Sequence, residues 1–295
     1  MSTRFDRLAL LATFVRIAER ESLSAAARDL GTSQPSVSRQ LAALEHLLGV
    51  TLVNRTTHAL ALTPDGAAVL ADARRMLSEW EGLTERLSDD AELRGTLRVV
   101  APVALGQRHM IEAALRFARD HPAVSIEWRL TDRAIRFAEE GCDVWIKVGP
   151  VPDDTLLVRE IASVVRLVVA TPDLAARYGN EPLERWPWLA LGPFEGSRIT
   201  LHAGDGSERA FMIAPRMATD NIFALLEAVR GGLGVAILPR WFVQDELKGG
   251  SLVDAVPDLR AVRLPVNVAI AAGTRRPARV DRFVEAATEW AGYVQ

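Results

Sequence analysis

Residues 14–55 read FVRIAERESLSAAARDLGTSQPSVSRQLAALEHLLGVTLVNR, and this stretch decides the fold of the N-terminal part of the chain. Apolar residues from Leu8 to Ala18 recur at helical spacing and predict a first amphipathic helix. Ser24 precedes AAARDL and predicts the N-cap of a second helix. Gly31 is predicted to end that helix, because glycine tolerates positive φ.

The third helix of this stretch has two distinct faces. Ser33 or Thr32 is predicted to cap it, and its first turn contains Pro35, where a missing N–H is tolerated. The apolar face comprises Val37, Leu41, Leu44, Leu47 and Leu48, and the polar face comprises Gln34, Ser36, Ser38, Arg39 and Gln40. A short helix, a glycine-containing turn and a capped helix form the helix-turn-helix pattern. In such a helix Gln pairs with adenine and Arg with guanine in the major groove, while Ser bonds bases or phosphates. An ordinary helical hairpin with a solvated polar face is the alternative.

The residues that follow predict a two-stranded wing. VTLVNR at 50–55 is a short β-prone segment, and ALALTPDG at 59–66 leads into another helix start at Thr63 and Pro64. Together with residues 14–55, this pattern resembles the LysR-type transcriptional regulators. The resemblance implies a winged helix-turn-helix that binds double-stranded promoter or operator DNA, with Arg55 on the wing near the DNA backbone. The DNA-binding residues predicted in this way are Ser33, Gln34, Pro35, Ser36, Ser38, Arg39 and Arg55.

Net charge does not by itself indicate a nucleic-acid binder. The 295 residues carry a formal charge of −3, and residues 1–65 contain seven arginines against six acidic residues. The prediction of DNA binding therefore rests on local geometry rather than on bulk electrostatics. The resemblance adds that a dimer doubles the number of phosphate contacts.

Composition limits the class of protein further. Hydrophobic residues make up 49% and charged residues 25%, as in folded soluble proteins. The chain lacks the roughly 18 consecutive apolar residues of a membrane span, and we expect no secretory signal. Cys142 is the single cysteine, and the five histidines show no ligand spacing. We expect a cytoplasmic protein with no membrane partner, no metal and no cofactor.

Residues 66–93 are predicted to form a linker helix that dimerises. Apolar or small residues follow spacings of three and four, as in the seam of a short coiled coil, at Leu70, Ala73, Leu77, Trp80, Thr84, Leu87 and Ala91. The alternative is an amphipathic helix that lies on its own domain. The resemblance favours an antiparallel pair of linker helices in a homodimer, and it alone suggests a homotetramer.

The sequence changes character after residue 94, where β-rich and helical segments alternate. Strands are predicted at Leu97–Ala101, Val124–Leu130, Val144–Val148, Val164–Ala170, Val235–Leu238 and Val266–Ala271. Helices are predicted at 106–120, 132–140, 221–231 and 276–292. Such alternation favours parallel sheets with helices on both faces. The predicted domains are therefore 1–65, 66–93 and 94–295.

The resemblance extends through this C-terminal part. It is carried by RGTLRVVAPVALG at 94–106, EEGCDVWIKVG at 139–149 and AVRGGLGVAILP at 228–239. It implies an α/β effector-binding domain with the two-subdomain fold of periplasmic-binding-protein-like (type 2) proteins, joined by two crossover strands. The subdomains would comprise about 95–165 with 266–295, and about 166–265.

The effector pocket is expected in the cleft between these subdomains. Three turns that lead from strands into helices are expected to face it, at 102–106, 131–133 and 219–222. Many family members have Ser or Thr near positions 103 and 104, whereas this chain has Val103 and Ala104, which makes that wall apolar. We therefore expect a partly apolar small-molecule effector, such as an aromatic or a hydrophobic acid, and Asp220 as a helix cap. The predicted effector-binding residues are Pro102, Val103, Ala104, Thr131, Asp132, Lys147 and Asn221.

Lys147 has two interpretations. It is one of two lysines in the chain and alternates with apolar residues on the predicted strand VWIKV. A functional Lys147 would pair with an effector carboxylate, whereas a structural one extends its amine to the surface. Trp186, Trp188 and Trp241 are expected to be core or subdomain contacts, and Cys142 to be structural.

Two other classes of function compete with a regulator. An α/β core also suits an enzyme, but the chain has no G-x-S-x-G, no GxxxxGK[ST] and no metal-ligand cluster. The glycines of GGLGVA precede their strand, whereas a dinucleotide fingerprint needs them after it. A solute-binding protein would explain the C-terminal part alone. The sequence therefore predicts a DNA-binding, effector-responsive transcriptional regulator that is not an enzyme, with RNA polymerase as a further partner.

Overall fold

The computed structural model describes residues 6–55, 60–87, 92–192, 197–272 and 276–291. These residues divide into two compact units. The first unit contains the residues up to 98 with 134–143 and 276–281, and the second contains 99–133, 144–272 and those from 282 onward. Within the described ranges, the helices are too short or too polar to cross a bilayer.

Three helices open the first unit: α1 (Arg7–Arg20), α2 (Leu23–Asp29) and α3 (Gln34–Leu48). The predicted cap of α2 is wrong, because Ser22 rather than Ser24 accepts a hydrogen bond from the Ala25 N–H at 3.3 Å. Glu21, with a left-handed φ of 47°, ends α1 and turns the chain, so that α2 starts one residue before Ser24.

A small wing and a long helix complete this part of the first unit. Strands β1 (Val53–Arg55) and β2 (Leu60–Leu62) pair antiparallel, and α4 follows at Pro64–Leu87. Apolar side chains of these helices and of the segment before β1 pack into one core, centred on Phe14, Ile17, Val37, Leu41, Leu44 and Leu52. The helix-turn-helix and wing predicted from residues 14–66 are therefore formed.

The first half of the predicted coiled-coil seam faces its own domain. Leu70 and Ala73 are buried in the core just described, and Leu77 packs against it. Another stripe of α4, which shares Trp80 with the predicted seam, is open to solvent, with exposed fractions of 48% at Met76, 50% at Trp80 and 39% at Leu83. The side chain of Leu87 and all of Ala91 lie outside the described residues. The seam prediction is wrong at its N-terminal end, because α1 packs against α4 and covers it there.

The rest of the chain alternates helices and strands. The helices are α5 (Val103–Arg108), α6 (Met110–Asp120), α7 (Pro172–Tyr178), α8 (Ile222–Arg230), α9 (Gln244–Gly249) and α10 (Ala278–Ala291). The strands are β3 (Gly95–Ala101), β4 (Val124–Leu130), β5 (Val144–Val148), β6 (Leu156–Ala170), β7 (Leu189–Leu191), β8 (Arg198–Ala203), β9 (Glu208–Met212), β10 (Met217–Thr219), β11 (Ala236–Pro239), β12 (Val253–Asp254) and β13 (Leu259–Ala271).

Two long strands, β6 and β13, form the backbone of the main sheet. Its order is β11-β6-β13-β5-β3-β4, with β12 also on β6, β8 on β13 and β9 on β8. The β3–β5 pair is parallel, but β5–β13, β6–β13 and β6–β11 are antiparallel. The sheet is therefore mixed, and the prediction of parallel sheets is wrong for these pairs. The sequence pattern missed this because it recognised only the apolar ends of β6 and β13.

Two predicted helices differ from the structure. The helix predicted at 106–120 breaks into α5 and α6 at His109, whose ψ is −62° at a φ of −119°. The segment 132–140 forms turns and bends instead of a helix. Its buried side chains, Ile135 and Phe137, are two residues apart, and a helix would direct them to nearly opposite faces. Burial thus overrides the helical propensity of the segment.

Candidate nucleic-acid interface and effector pocket

The two faces of α3 have opposite environments. Val37, Leu41 and Leu44 are buried in the core of the first unit. On the other side, Ser33, Gln34, Pro35 and Arg39 are exposed, while Ser36 and Ser38 are half-buried. Ser33 caps α3 by accepting a hydrogen bond from the Ser36 N–H at 3.4 Å, and Pro35 lies in the first turn, as the sequence predicts. The structure therefore brings six of the predicted DNA-binding residues to the start of one helix.

A short hydrogen-bond chain fixes α3 against α1. The Thr13 hydroxyl donates to Oε1 of Gln40 at 2.5 Å, and Nε2 of Gln40 donates to the Ser36 hydroxyl at 3.4 Å. Gln34 and Arg39, by contrast, have no side-chain hydrogen bond to any described residue. Their amide and guanidinium groups are thus available to an external partner such as a base edge.

The wing is held in place by groups that sequence reasoning missed. Oε1 of Glu45 on α3 accepts hydrogen bonds from the backbone N–H groups of Leu52 and Val53, at 2.9 and 3.4 Å. The Thr63 hydroxyl donates to the Thr51 carbonyl at 2.7 Å and accepts from the Gly66 N–H at 2.9 Å. A Cβ at Gly66 would lie 2.0 Å from the Leu52 carbonyl oxygen, so this close approach requires glycine.

Arg55 ends β1, where its backbone pairs with Leu60. Its side chain, which the sequence predicts to approach the DNA backbone, lies outside the described part of the chain. Its role in DNA binding stays a prediction.

A cavity of about 580 Å³ lies within the second unit. This volume includes space that is open to solvent. Apolar side chains of α5, β5, β6, β7, α8, β11 and β13 and of the segments around them line it, and three charged residues interrupt them. The lining residues are Pro102, Ala104, Leu105, Asp132, Val148, Val164, Arg166, Leu191, Asp220, Ile222, Ile237, Pro239, Trp241 and Leu264.

The structure places three of the predicted effector residues, Pro102, Ala104 and Asp132, in this lining. Val103 contributes its backbone N–H, which donates to Oδ1 of Asp132 at 3.1 Å. Thr131 is engaged locally, because its hydroxyl accepts from the Arg133 N–H at 3.2 Å. The contact of these residues with an effector stays a prediction.

Asn221 and Lys147 do not line the cavity. Asn221, rather than the expected Asp220, caps α8, with Oδ1 accepting from the N–H groups of Phe223 and Ala224 at 3.0 Å each. Val148 lines the cavity, so Lys147 on the same strand is directed to the other face of the sheet. Its ammonium lies 3.4 Å from the Val148 carbonyl and 5.9 Å from the Trp145 ring, and burial lowers its pKa.

Much of the cavity comes from residues that the sequence did not single out. Arg166 and Val164 lie within the strand predicted at Val164–Ala170 but were not predicted to face a pocket, and Leu264 lies on β13 just before the predicted start at Val266. Arg166 carried the one available signal, because it is a charge inside the apolar run VVRLVVA. Trp241 also contributes, and its ring meets His109 edge-on at 4.6 Å between centroids.

The charged residues that line the cavity are two acids, Asp132 and Asp220, and one base, Arg166. Burial raises the pKa of the Asp132 carboxyl, the hydrogen bond from Val103 opposes this shift, and the neighbouring charge of Asp220 adds to it. Asp220 pairs with Arg133 at 3.6 Å, and both side chains are largely exposed. Among the residues that the structure describes, no group of three His, Cys, Asp or Glu side chains comes together as a metal site.

Comparison with known proteins identifies both parts of the chain. Residues 8–67 match the bacterial regulatory helix-turn-helix protein, lysR family, and residues 90–292 match the LysR substrate binding domain. The HTH-type transcriptional regulator PtxR of Pseudomonas aeruginosa is 29% identical, over 96% of this chain and 92% of its own length. The HTH-type transcriptional regulator YhjC of Escherichia coli K12 is 27% identical, over 95% and 96%.

A solved structure shows the same fold. A full-length variant of OxyR from Pseudomonas aeruginosa superimposes with a TM-score of 0.72 at 19% identity, covering 98% of this chain and 95% of that one. The resemblance seen in the N-terminal and C-terminal motifs is thereby confirmed, with an N-terminal helix-turn-helix and a C-terminal effector-binding α/β domain. The chain belongs to the LysR family of transcriptional regulators.

Proposed function

We propose that this regulator reads its operator with the first two turns of α3 and responds to a partly apolar small molecule in the cavity of the second unit. The observation that carries the first half is the pair of exposed side chains, Gln34 and Arg39, which have no hydrogen-bond partner among the described residues. The opposite face of the same helix is buried, so that these groups are held at a fixed place on a rigid element.

The assignment of roles follows from the chemistry of each side chain. Arg39 would donate to O6 and N7 of a guanine, and Gln34 would pair with N6 and N7 of an adenine. Ser33, Ser36 and Ser38 would contact phosphates or bases, Pro35 would shape the first turn, and Arg55 would neutralise a phosphate from the wing. Domain boundaries at 65 and 93 would separate this DNA-binding domain from a linker helix and from the effector-binding domain.

A dimer is the proposed functional unit. The exposed stripe of Met76, Trp80 and Leu83 on α4 is apolar and wide enough to pair with a second copy. Two recognition helices at a fixed separation would then read a two-fold operator. A homotetramer, contact with RNA polymerase and a cytoplasmic location extend this proposal, and none of them requires catalysis by the chain.

The effector would act because it binds more tightly to one of two arrangements of the protomers than to the other. Binding in the cavity would favour one arrangement of the protomers, and thereby change the spacing or angle of the recognition helices and the bending of the DNA. DNase protection of the operator that is identical with and without a saturating ligand would contradict this mechanism.

A gel-shift titration tests the DNA-binding half. The purified protein is titrated onto the intergenic DNA upstream of its own gene, with random DNA as competitor. We expect retention that survives the competitor and is lost in the double variant Gln34→Ala/Arg39→Ala. Arg39→Ala alone should weaken specific binding by about 1–3 kcal/mol if it reads a base.

Arg119→Ala is the matched control, because it removes one exposed positive charge from α6 without touching α3. Binding that the competitor abolishes, or that the double variant retains, would contradict the proposal. Equal losses on operator and random DNA would assign Arg39 to a phosphate instead.

A further inference from the structure

We propose that the effector carries a protonated amine or an equivalent cationic head, which lies between Asp132 and Asp220, and an apolar body that fills the rest of the cavity. This inference rests on the proposed function of the cavity as the effector site. It differs from the acidic effector that the sequence suggested, and the difference comes from where the polar groups of the cavity are directed.

The Asp132 carboxylate is only partly engaged by the described residues. One of its carboxylate oxygens accepts the Val103 N–H at 3.1 Å, and no other hydrogen bond to the carboxylate is formed with the described residues. The side chain is half-buried and lines the cavity. A carboxylate in such a place is stabilised by a donor with a positive charge, since part of its hydration is lost.

Asp220 is a second carboxylate at the cavity, and its charge acts on Asp132. Its ion pair with Arg133, at 3.6 Å, joins side chains that are 71% and 84% exposed, so water screens it strongly. Two carboxylates on one apolar pocket repel each other and any anionic ligand, whereas a cation between them relieves that repulsion.

Several backbone donors that could bind an acidic ligand are already engaged. Helix N-termini at strand ends commonly hold anions through their free N–H groups. Here the N–H groups of Phe223 and Ala224 at the start of α8 already bind Oδ1 of Asn221. At the start of α5, the Val103 N–H binds Asp132. These three backbone donors are thus occupied by the protein itself.

The one basic side chain in the lining is also engaged. Nε and Nη2 of Arg166 both donate to the Val262 carbonyl oxygen, at 3.0 and 2.9 Å. The Nε–Nη2 edge of the guanidinium, one of the two that can form a fork with a carboxylate, is therefore turned to the backbone of β13. The remaining walls, including Leu191, Ile237 and Trp241, suit an aromatic or branched aliphatic body.

The experiment compares two ligands of similar size that share a phenyl ring and carry opposite charges. Phenethylamine and 3-phenylpropionate are titrated separately into the full-length protein, with binding followed by calorimetry and by ligand-observed NMR. We expect the amine to bind at least tenfold more tightly at neutral pH. In Asp132→Asn, whose amide oxygen can still accept the Val103 N–H, this preference should fall to less than threefold.

Asp120→Asn removes an exposed acid at the end of α6 and is the matched control, in which the preference should persist. Tighter binding of the carboxylate, or an unchanged preference in Asp132→Asn, would overturn the cationic head while leaving the cavity as the effector site. No binding of either compound at 10 mM would overturn the inference together with the proposed effector site.

Discussion

At the scale of one residue, Asn221 was predicted to bind the effector, and in the structure it caps helix α8. Its side chain satisfies two N–H groups of α8. Asn221→Ala should therefore lower the free energy of unfolding by about 1 kcal/mol, as expected for the loss of an N-cap, while Asn221→Asp should retain most of it. Urea denaturation of the full chain measures both changes. Asn180→Ala, at an exposed turn, is the control.

The same variants also test the predicted effector contact of Asn221. If Asn221→Ala leaves the urea midpoint unchanged but weakens the binding of phenethylamine, the residue is a ligand contact and the capping role is secondary. We expect the opposite pattern, because Asn221 does not line the cavity.

Asp143 gives a prediction of pH dependence. Burial raises the pKa of this carboxyl, although its Oδ2 accepts the Arg98 N–H at 2.8 Å and the Arg279 and Arg98 charges lower the pKa. The folded state therefore binds a proton more readily than the unfolded state. The stabilisation associated with this proton is present at acid pH and is lost as pH rises through the raised pKa.

Asp143→Asn removes the ionisable group and keeps an acceptor for the Arg98 N–H. Its free energy of unfolding should rise relative to the natural chain as pH increases from about 4 to neutrality, as urea titrations at several pH values would show. A variant that is less stable than the natural chain at neutral pH would mean that Arg98 and Arg279 require the negative charge.

At the scale of elements, α4 has two apolar faces with different environments. Leu70 and Ala73 are buried in the domain of α4 itself, whereas Met76, Trp80 and Leu83 follow one another at spacings of four and three on an exposed face. An apolar stripe of this kind on a long helix is typical of a helix–helix interface. Trp80 lies at its centre.

Trp80→Asp should dissociate the dimer and lower operator affinity, because the variant places an unpaired charge in the proposed interface. Sedimentation velocity at micromolar concentration measures the first effect, and the gel shift measures the second. Met212→Asp, at a side chain that is 60% exposed on β9, is the control. A Trp80→Asp protein that remains dimeric would place the interface elsewhere.

Elements with local signals could be predicted from the sequence. Ser33, Pro35 and Gly49 delimit α3, and the apolar runs at 97–101, 124–130 and 144–148 become β3, β4 and β5. The helix at 132–140 could not be rejected locally, since only the burial of Ile135 and Phe137 decides against it. Local patterns also miss antiparallel pairing between β6 and β13, because the partners are about a hundred residues apart.

The two candidate sites were predictable to different degrees, because one depends on local sequence patterns and the other on tertiary contacts. The exposed face of α3 follows from one helical period and one cap, so that Gln34 and Arg39 could be identified directly. The cavity combines seven secondary elements, and its charges depend on tertiary hydrogen bonds such as that from Val103 to Asp132. Sequence reasoning placed Lys147 in the cavity because side chains alternate between the two faces of a strand, and the sequence does not show which face lines the pocket.

At the scale of the whole molecule, the first unit contains both the recognition helix α3 and the start of β3, the strand that precedes the cavity residue Pro102. Glu19 on α1 accepts from Nη2 of Arg98 on β3 at 3.1 Å and pairs with Arg16 at the same distance, and Arg74 of α4 is 3.9 Å away. Its side chain is only 16% exposed. From Arg98, β3 continues to the cavity residue Pro102.

The same helix α1 holds the recognition helix through Thr13 and Gln40. Covalent connection and polar contacts thus form a continuous path from the cavity wall, through Arg98 and Glu19, to α3. Such continuity suggests coupling, and only a measured change in coupling demonstrates it. Glu19 is the member to change, because it contacts neither DNA-reading side chains nor the cavity lining.

Glu19→Gln should therefore keep operator binding and lose its response to the effector. Removal of one charge leaves Arg16, Arg74 and Arg98 facing each other, so the free energy of unfolding should also fall by about 1–3 kcal/mol. DNase protection of the operator is compared for both proteins with and without saturating phenethylamine. A ligand-dependent footprint that persists in the variant would show that coupling bypasses Glu19. Loss of operator binding in the absence of ligand would instead show that Glu19 stabilises the DNA-binding helices, since α1 packs directly against α3.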